Sequence, residues 1–268
     1  MIEKLHISIN IPKNLTIDDF NIIETTGSNN WGNTCKVIHV KTDRIYSSII
    51  INRNECWPIH EHIIQQLQNY IDVSKHENVN GINALFEYDQ FVFVIYEYNE
   101  INLALLYGNR MYWNEIDFEQ KMEVFMNIVS AVRACHKAGF IHGDVRMKNI
   151  EIRSDSSACL VHFNKSCLNH SPECVEAVLL DPPPPETVLT PPIISTALDC
   201  WGLGLLLYEL FVDVTNLNMV QLNSSEFEFK FDLLPDDIRV LGQGLLQKDP
   251  TQRWNTKMVL KYLSKIGF

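Results

Sequence analysis

The sequence has no apolar run of 18 residues, so nothing in it reads as a membrane-spanning helix. The first residues, Met1-Ile2-Glu3-Lys4-Leu5-His6, lack an apolar signal core. Residue 2 is Ile, and the last residues are Lys265-Ile266-Gly267-Phe268, so no lipidation signal is expected at either end. Positive charge is scarce: 22 Lys and Arg against 33 Asp and Glu give a net charge of -11. That balance argues against nucleic acid or an anionic membrane as the main partner. No fixed-period repeat stands out. Cysteine is present but unpaired by count, seven residues at irregular spacing. The expectation is reduced thiols in an intracellular protein, cytoplasmic or nuclear. What the chain does have is 268 residues, 46% of them hydrophobic, enough for one domain of two lobes with a large core.

Residues 1–17 read as a short N-terminal extension containing Pro12. Phe20 to Glu24, Thr34 to Val40 and Ile45 to Asn52 are β-branched or aromatic runs between Gly/Asn-rich or charged turns, and predict three antiparallel strands. Pro58 to Tyr70 has helical spacing, with Ile59, Ile63, Ile64 and Leu67 apolar. Leu85 to Tyr88 and Phe91 to Tyr96 flank Asp89-Gln90, a hairpin turn. The pattern then changes to helix. Phe118 to Ala138 carries apolar residues three and four apart, and Cys200 to Val212, Pro235 to Gln247 and Lys257 to Ile266 follow. Ile128, Val132, Trp201, Leu203, Leu205 and Leu207 are the expected core of this half. A β-rich segment followed by an α-rich one predicts an α+β chain of two lobes, joined at Glu97-Tyr98-Asn99-Glu100. Pro182 to Pro185 is a polyproline stretch that no helix or central strand accepts.

The most informative stretch is His142-Gly143-Asp144-Val145-Arg146-Met147-Lys148-Asn149. It is followed by His162-Phe163-Asn164, then Pro184-Pro185-Glu186, Asp199-Cys200-Trp201-Gly202-Leu203-Gly204, and Asp249-Pro250-Thr251-Gln252-Arg253-Trp254. Upstream lies Gly27-Ser28-Asn29-Asn30-Trp31-Gly32. In this order and spacing the set resembles the motifs of protein kinases: H-R-D-x-x-x-x-N, D-F-G, A-P-E, D-x-W-S-x-G, D-P-x-x-R and the glycine-rich G-x-G-x-x-G. The resemblance covers residues 18–266, with a small β-rich lobe over 18–97 and a larger helical lobe over 98–266.

The resemblance implies roles. Asp144 would accept the substrate hydroxyl proton, Arg146 would assist the transferred phosphate, and Asn149 would hold magnesium. Gly27 and Gly32 would close over a nucleotide, and Glu97 and Tyr98 would form its hinge, with Tyr96 as the bulky residue beside it. Glu186 and Arg253 would form a buried ion pair, and Asp199 would be structural. The chain departs from the pattern at Asn29, the middle glycine, and at Ile49, where the strand lysine belongs. It departs also near Leu67, where that lysine's glutamate partner would fall, and at Gly143 and His162. An imidazole at His162 brings neither the charge nor the oxygens that a hard cation needs. Lys36 and Lys41 are the nearest substitutes for the lysine.

The expected function is that of a pseudokinase, a regulatory or interaction module. It would have no cofactor and no metal, and would bind a protein partner such as an active kinase or its substrate. Pro182 to Pro185 and Val188 to Ile194 are candidate contact surfaces. The alternative is an atypical active serine/threonine kinase using ATP and magnesium through Asp144 and Asn149. A third pattern, His162, Cys167, His170 and Cys174, spaces two thiolates and two imidazoles for zinc, against a bland reading of free thiols and surface histidines.

Overall fold

The computed structural model describes residues 15–54, 60–169, 184–189, 191–212 and 229–268, the side chains of 60–62 and 188 excepted. The N-terminal half is a five-stranded antiparallel sheet, ordered β1-β2-β3-β5-β4. The strands are β1 (Phe20–Ser28), β2 (Asn33–His39), β3 (Ile45–Asn52), β4 (Ile82–Tyr88) and β5 (Phe91–Glu97). Asp89, at the β4–β5 turn, takes a positive φ of 53°, a conformation that aspartate tolerates better than most residues. One helix, α1 (His60–Val73), packs with the sheet.

Alternation on β3 divides the small lobe. Ile49 and Ile51 join Ile63, Leu67 and Tyr70 of α1 in the main core. Ile50 faces a separate cluster of Phe20, Cys35, Val37, Ala84, Phe93 and Ile95, where the Phe20 and Phe86 rings stack at 5.8 Å. This is the two-residue period of a sheet apolar on both faces.

The C-terminal half is helical. A two-strand sheet pairs β7 (Phe140–Ile141) with β10 (Cys167–Leu168), and a three-strand sheet is ordered β6 (Ile101–Asn102), β8 (Ile150–Ile152), β9 (Ala158–Leu160). The helices are α2 (Leu103–Gly108), α3 (Arg110–Trp113), α4 (Phe118–Lys137), α5 (Ala197–Phe211), α6 (Asp236–Leu245) and α7 (Thr256–Ile266). Helix α4 starts with a capping box, in which Asp117 accepts the Gln120 N–H while the Gln120 side chain accepts the Asp117 N–H. It buries Met122, Phe125, Ile128, Val129 and Val132. Helix α5 is buried on almost every side, which fits a central helix that is apolar all round.

The fold is therefore α+β, with a β-rich N-terminal and a helical C-terminal region. The anticipated helices lie within a few residues of those observed. Helices α2 and α3 were not anticipated, because six and four residues are too few to show a period. Leu205 is only half-buried, unlike its neighbours Leu203 and Leu207. No helix among the described residues is long and apolar enough to cross a membrane.

Candidate functional site

The loop after β7 is organised by one buried carboxylate from α5. Asp199 Oδ2 accepts the His142 N–H at 2.8 Å and the His136 Nε2–H at 2.9 Å, and Oδ1 accepts the Gly143 N–H at 2.9 Å. Burial alone would raise the Asp199 pKa; these donors, His136 first, hold it below the usual carboxylate range. Gly143 has φ 81°, and a Cβ there would lie 2.6 Å from the Lys165 carbonyl oxygen. Glycine at this position thus satisfies the backbone as well as deleting a cation. His142 donates from Nε2 to the Val161 carbonyl at 3.0 Å and accepts the Asp144 N–H at Nδ1. Its pKa is lowered, chiefly by burial, so the ring is neutral.

Asp144 sits among three cations. Arg146 donates to Oδ1, and Lys148 and Lys165 approach Oδ2 at 3.7 and 3.6 Å. Burial would raise the Asp144 pKa, but Arg146, then Lys165, lower it, leaving an ionised carboxylate. Asn149 turns its amide N–H₂ to the Asp144 carbonyl at 2.7 Å, which aims Oδ1 the other way. That oxygen lies 3.0 Å from His162 Nδ1. Because the acceptor is an oxygen, His162 carries its proton on Nδ1. Burial lowers the His162 pKa to about 4, so it is a neutral donor at neutral pH. A magnesium ion would need the very oxygen that His162 occupies, plus a carboxylate that is missing. Among the described residues no cluster of three His, Cys, Asp or Glu is placed to hold a metal. The residues present do not fit the metal that the motif pattern implies.

On the small-lobe side, the β1–β2 turn carries a buried indole. In the β1–β2 turn, Asn29 Oδ1 accepts the Trp31 N–H at 2.8 Å and the Gly32 N–H at 3.3 Å. These are N–H groups that a phosphate would otherwise recruit. Gly32 has φ 152°, and a Cβ on it would lie 2.1 Å from the Ile50 carbonyl oxygen, so the turn is pressed onto β3. Trp31 points inward, 1% exposed, and joins the core cluster of Ile49 and Leu67. Its indole N–H donates to Gln66 Oε1 at 2.6 Å.

Gln66 and Leu67 of α1 are both buried, Gln66 bonded to the indole and Leu67 in the same core cluster as Trp31 and Ile49. Ile49 is 2% exposed, so where the motif pattern implies a lysine and a glutamate there is an isoleucine and an indole–amide hydrogen bond. Lys36 lies over the Tyr98 ring at 4.4 Å and donates to its hydroxyl at 3.3 Å, and Lys41 pairs with Asp19 at 3.1 Å. Neither reaches Gln66's place.

Four rings and groups connect the lobes in series. Asp199 holds His142, whose ring meets Phe163 edge-on at 4.8 Å, and Phe163 stacks on Tyr70 of α1 at 4.5 Å. Below the hinge, Glu151 accepts from Asn80 and Asn99, each at 3.0 Å, and Asn80 also donates to the Glu97 carbonyl at 2.9 Å. Burial raises the pKa of Glu151. The Glu97 side chain pairs with Arg44. Glu151 and Lys165 carry no motif that marks them in the sequence; a lone aromatic in an Asn/Gly turn was the available signal for Trp31.

Glu186 and Arg253 form a bidentate pair, both side chains at zero exposure, with Arg253 Nη2 to Glu186 Oε2 at 2.8 Å. Arg253 also donates to the Ala197 and Gln247 carbonyls and lies over the Trp201 ring at 4.9 Å. The expected contact segment is split: Leu189 and Ile193 are exposed, whereas Ile194 is buried against Ile141, Cys167 and Leu198. Pro182 and Pro183 lie outside the described residues. One expectation needs correction. Cys35, Cys135, Cys159 and Cys200 are free, but Cys167 is disulfide-bonded and so is no thiolate for zinc. His170 and Cys174 lie outside the described residues.

The Protein kinase domain family matches residues 20–263. The chain is 29% identical to "Aurora kinase" of Candida glabrata, over 89% of this chain and 68% of that protein. It is 23% identical to "Aurora kinase C" of Mus musculus, over 93% of this chain and 92% of that protein. Against "NUAK family SNF1-like kinase 1" of Homo sapiens it is 24% identical over 87% of its length, spanning 36% of the larger protein.

Proposed function

Because the chain belongs to the protein kinase family, we propose that it works as a pseudokinase, a kinase-fold module that regulates by binding a protein partner rather than by transferring phosphate. The observation that carries this reading is Trp31 of the β1–β2 turn, buried at 1% and hydrogen-bonded to Gln66. Phosphoryl transfer is positioning plus charge neutralisation. This cleft offers a tryptophan and Ile49 where a triphosphate would need a cation, and His162 where a metal would need a carboxylate. No nucleotide, metal, nucleic acid or membrane enters the proposal. The partner is a protein, with an active kinase or its substrate as the first candidates, and exposed Leu189 and Ile193 mark one face for it.

One observation favours the second reading, an active serine/threonine kinase: Asp144 is ionised, and Arg146 and Asn149 are both hydrogen-bonded to it. Thermal unfolding with ATP, with and without magnesium or manganese, separates the two. A ligand at 100 times its Kd stabilises a protein by about 2.7 kcal/mol, roughly 5–10 °C for a domain of this size. The pseudokinase reading expects no shift at millimolar nucleotide. A metal-dependent shift, with phosphate transfer abolished by Asp144→Asn, would replace it with the active kinase.

A further inference from the structure

Away from the cleft, a pocket of about 210 Å³ opens between α2, α3, α4, α5 and the β8–β9 hairpin. Leu103, Leu106, Trp113, Val124 and Leu210 make its wall apolar. Lys121 lines the same pocket. Its ammonium lies 5.0 Å from the Trp113 ring centre and 6.0 Å from that of Phe211, distances at which aromatic faces attract a cation.

Among the described residues no carboxylate pairs with this ammonium. The natural helical partner four residues earlier, Asp117, is committed to capping α4, where it accepts the Gln120 N–H at 2.8 Å. Glu123 lines the pocket but is exposed and makes no pair with Lys121. The Lys121 pKa is lowered, first by burial and then by the charge of Arg110. A half-buried cation on a hydrocarbon wall thus has aromatic faces for neighbours and, among the described residues, no ion-pair partner.

We propose that this pocket is a binding site for a small carboxylate with an apolar body, the hydrocarbon against Leu103, Leu106 and Val124 and the carboxylate on Lys121. Size agrees. An apolar cavity of roughly 150 Å³ admits benzene, so 210 Å³ takes one ring with a short acid arm. The pocket is separate from the cleft between the lobes, and the proposal stands whether or not the chain transfers phosphate.

The test is isothermal titration of the full chain with phenylacetate, and with phenylethanol as the uncharged counterpart. Wild type should bind phenylacetate saturably. Lys121→Met keeps the aliphatic stem and removes the charge; it should weaken phenylacetate by about ten-fold or more and leave phenylethanol unchanged. Val124→Phe should abolish both ligands by filling the pocket. Its circular dichroism melt checks folding, and Leu106→Phe serves in its place if it does not fold. Absence of saturable phenylacetate binding at about 10 mM, or equal affinity in Lys121→Met, overturns the proposal.

Discussion

Trp31→Ala should be among the most damaging single changes in the small lobe. The side chain is 1% exposed and packs with Ile49 and Leu67. Deleting a buried tryptophan costs about 3–5 kcal/mol through lost transfer energy and the cavity left behind. The Gln66 amide, 2.6 Å from the indole nitrogen, would in addition lose its donor, worth roughly 1–3 kcal/mol if no water replaces it. Trp31→Phe shifts the balance between the two effects, since it removes the donor while keeping much of the apolar area and leaving a smaller cavity. Gln66→Leu removes the acceptor and strands the indole N–H. The double variant removes both, so each single change should cost about 1–3 kcal/mol and the pair much less than their sum. Urea unfolding followed by far-ultraviolet circular dichroism measures the wild type and the four variants, with equal m-values as the condition for comparing them. A coupling energy below about 0.5 kcal/mol, or a Trp31→Ala cost near that of a surface change, would refute the seating of the indole on α1. Trp31→Ala should not gain magnesium-dependent ATP binding, because Ile49 and His162 are unchanged.

His162 titrates near 4 in the fold and near 6.5 when unfolded, so the unfolded chain takes the proton first as pH falls. Its contribution is fully present above about pH 6.5 and is lost, by up to roughly 3 kcal/mol, on descending to pH 4. His162→Asn should flatten that part of the stability–pH curve relative to wild type. Glu186→Gln leaves Arg253 charged at zero exposure and should cost about 3–5 kcal/mol, read as a lowered melting temperature; Glu186→Leu with Arg253→Met should cost less than the two singles summed. Gly143→Ala should destabilise by at least about 1–2 kcal/mol from its φ of 81°. It should also move the chain at Lys165, seen as faster amide exchange there.

The large lobe was legible because its motifs are tied to backbone geometry. Asp199 must meet the N–H groups of His142 and Gly143, and Arg253 must meet Glu186 across 67 residues, so residue type and spacing are fixed together. In the small lobe the losses at Ile49 and His162 could be counted along the chain, but not what replaces them. Whether Trp31 points out over the turn or in toward α1 depends on Asn29 accepting two N–H groups, a side-chain choice that spacing does not encode. The α1 position could be narrowed only to the neighbourhood of Leu67, because adjacent residues on a helix differ by about 100° in direction. Glu151 was unreadable because Asn80 and Asn99, its partners, are remote in sequence. The Cys167 disulfide ran against an expectation drawn from compartment rather than from geometry.

Asp144 invites the inference that chemistry survives here, and its surroundings weaken that inference. Arg146, Lys148 and Lys165 converge on this one carboxylate; strip it out and like charges confront each other in a half-buried space. An acid in such a loop can thus be demanded by charge balance alone, whether or not phosphate is transferred. Finding one in a sequence is a statement about what its neighbours require, and says little about turnover until those neighbours are known.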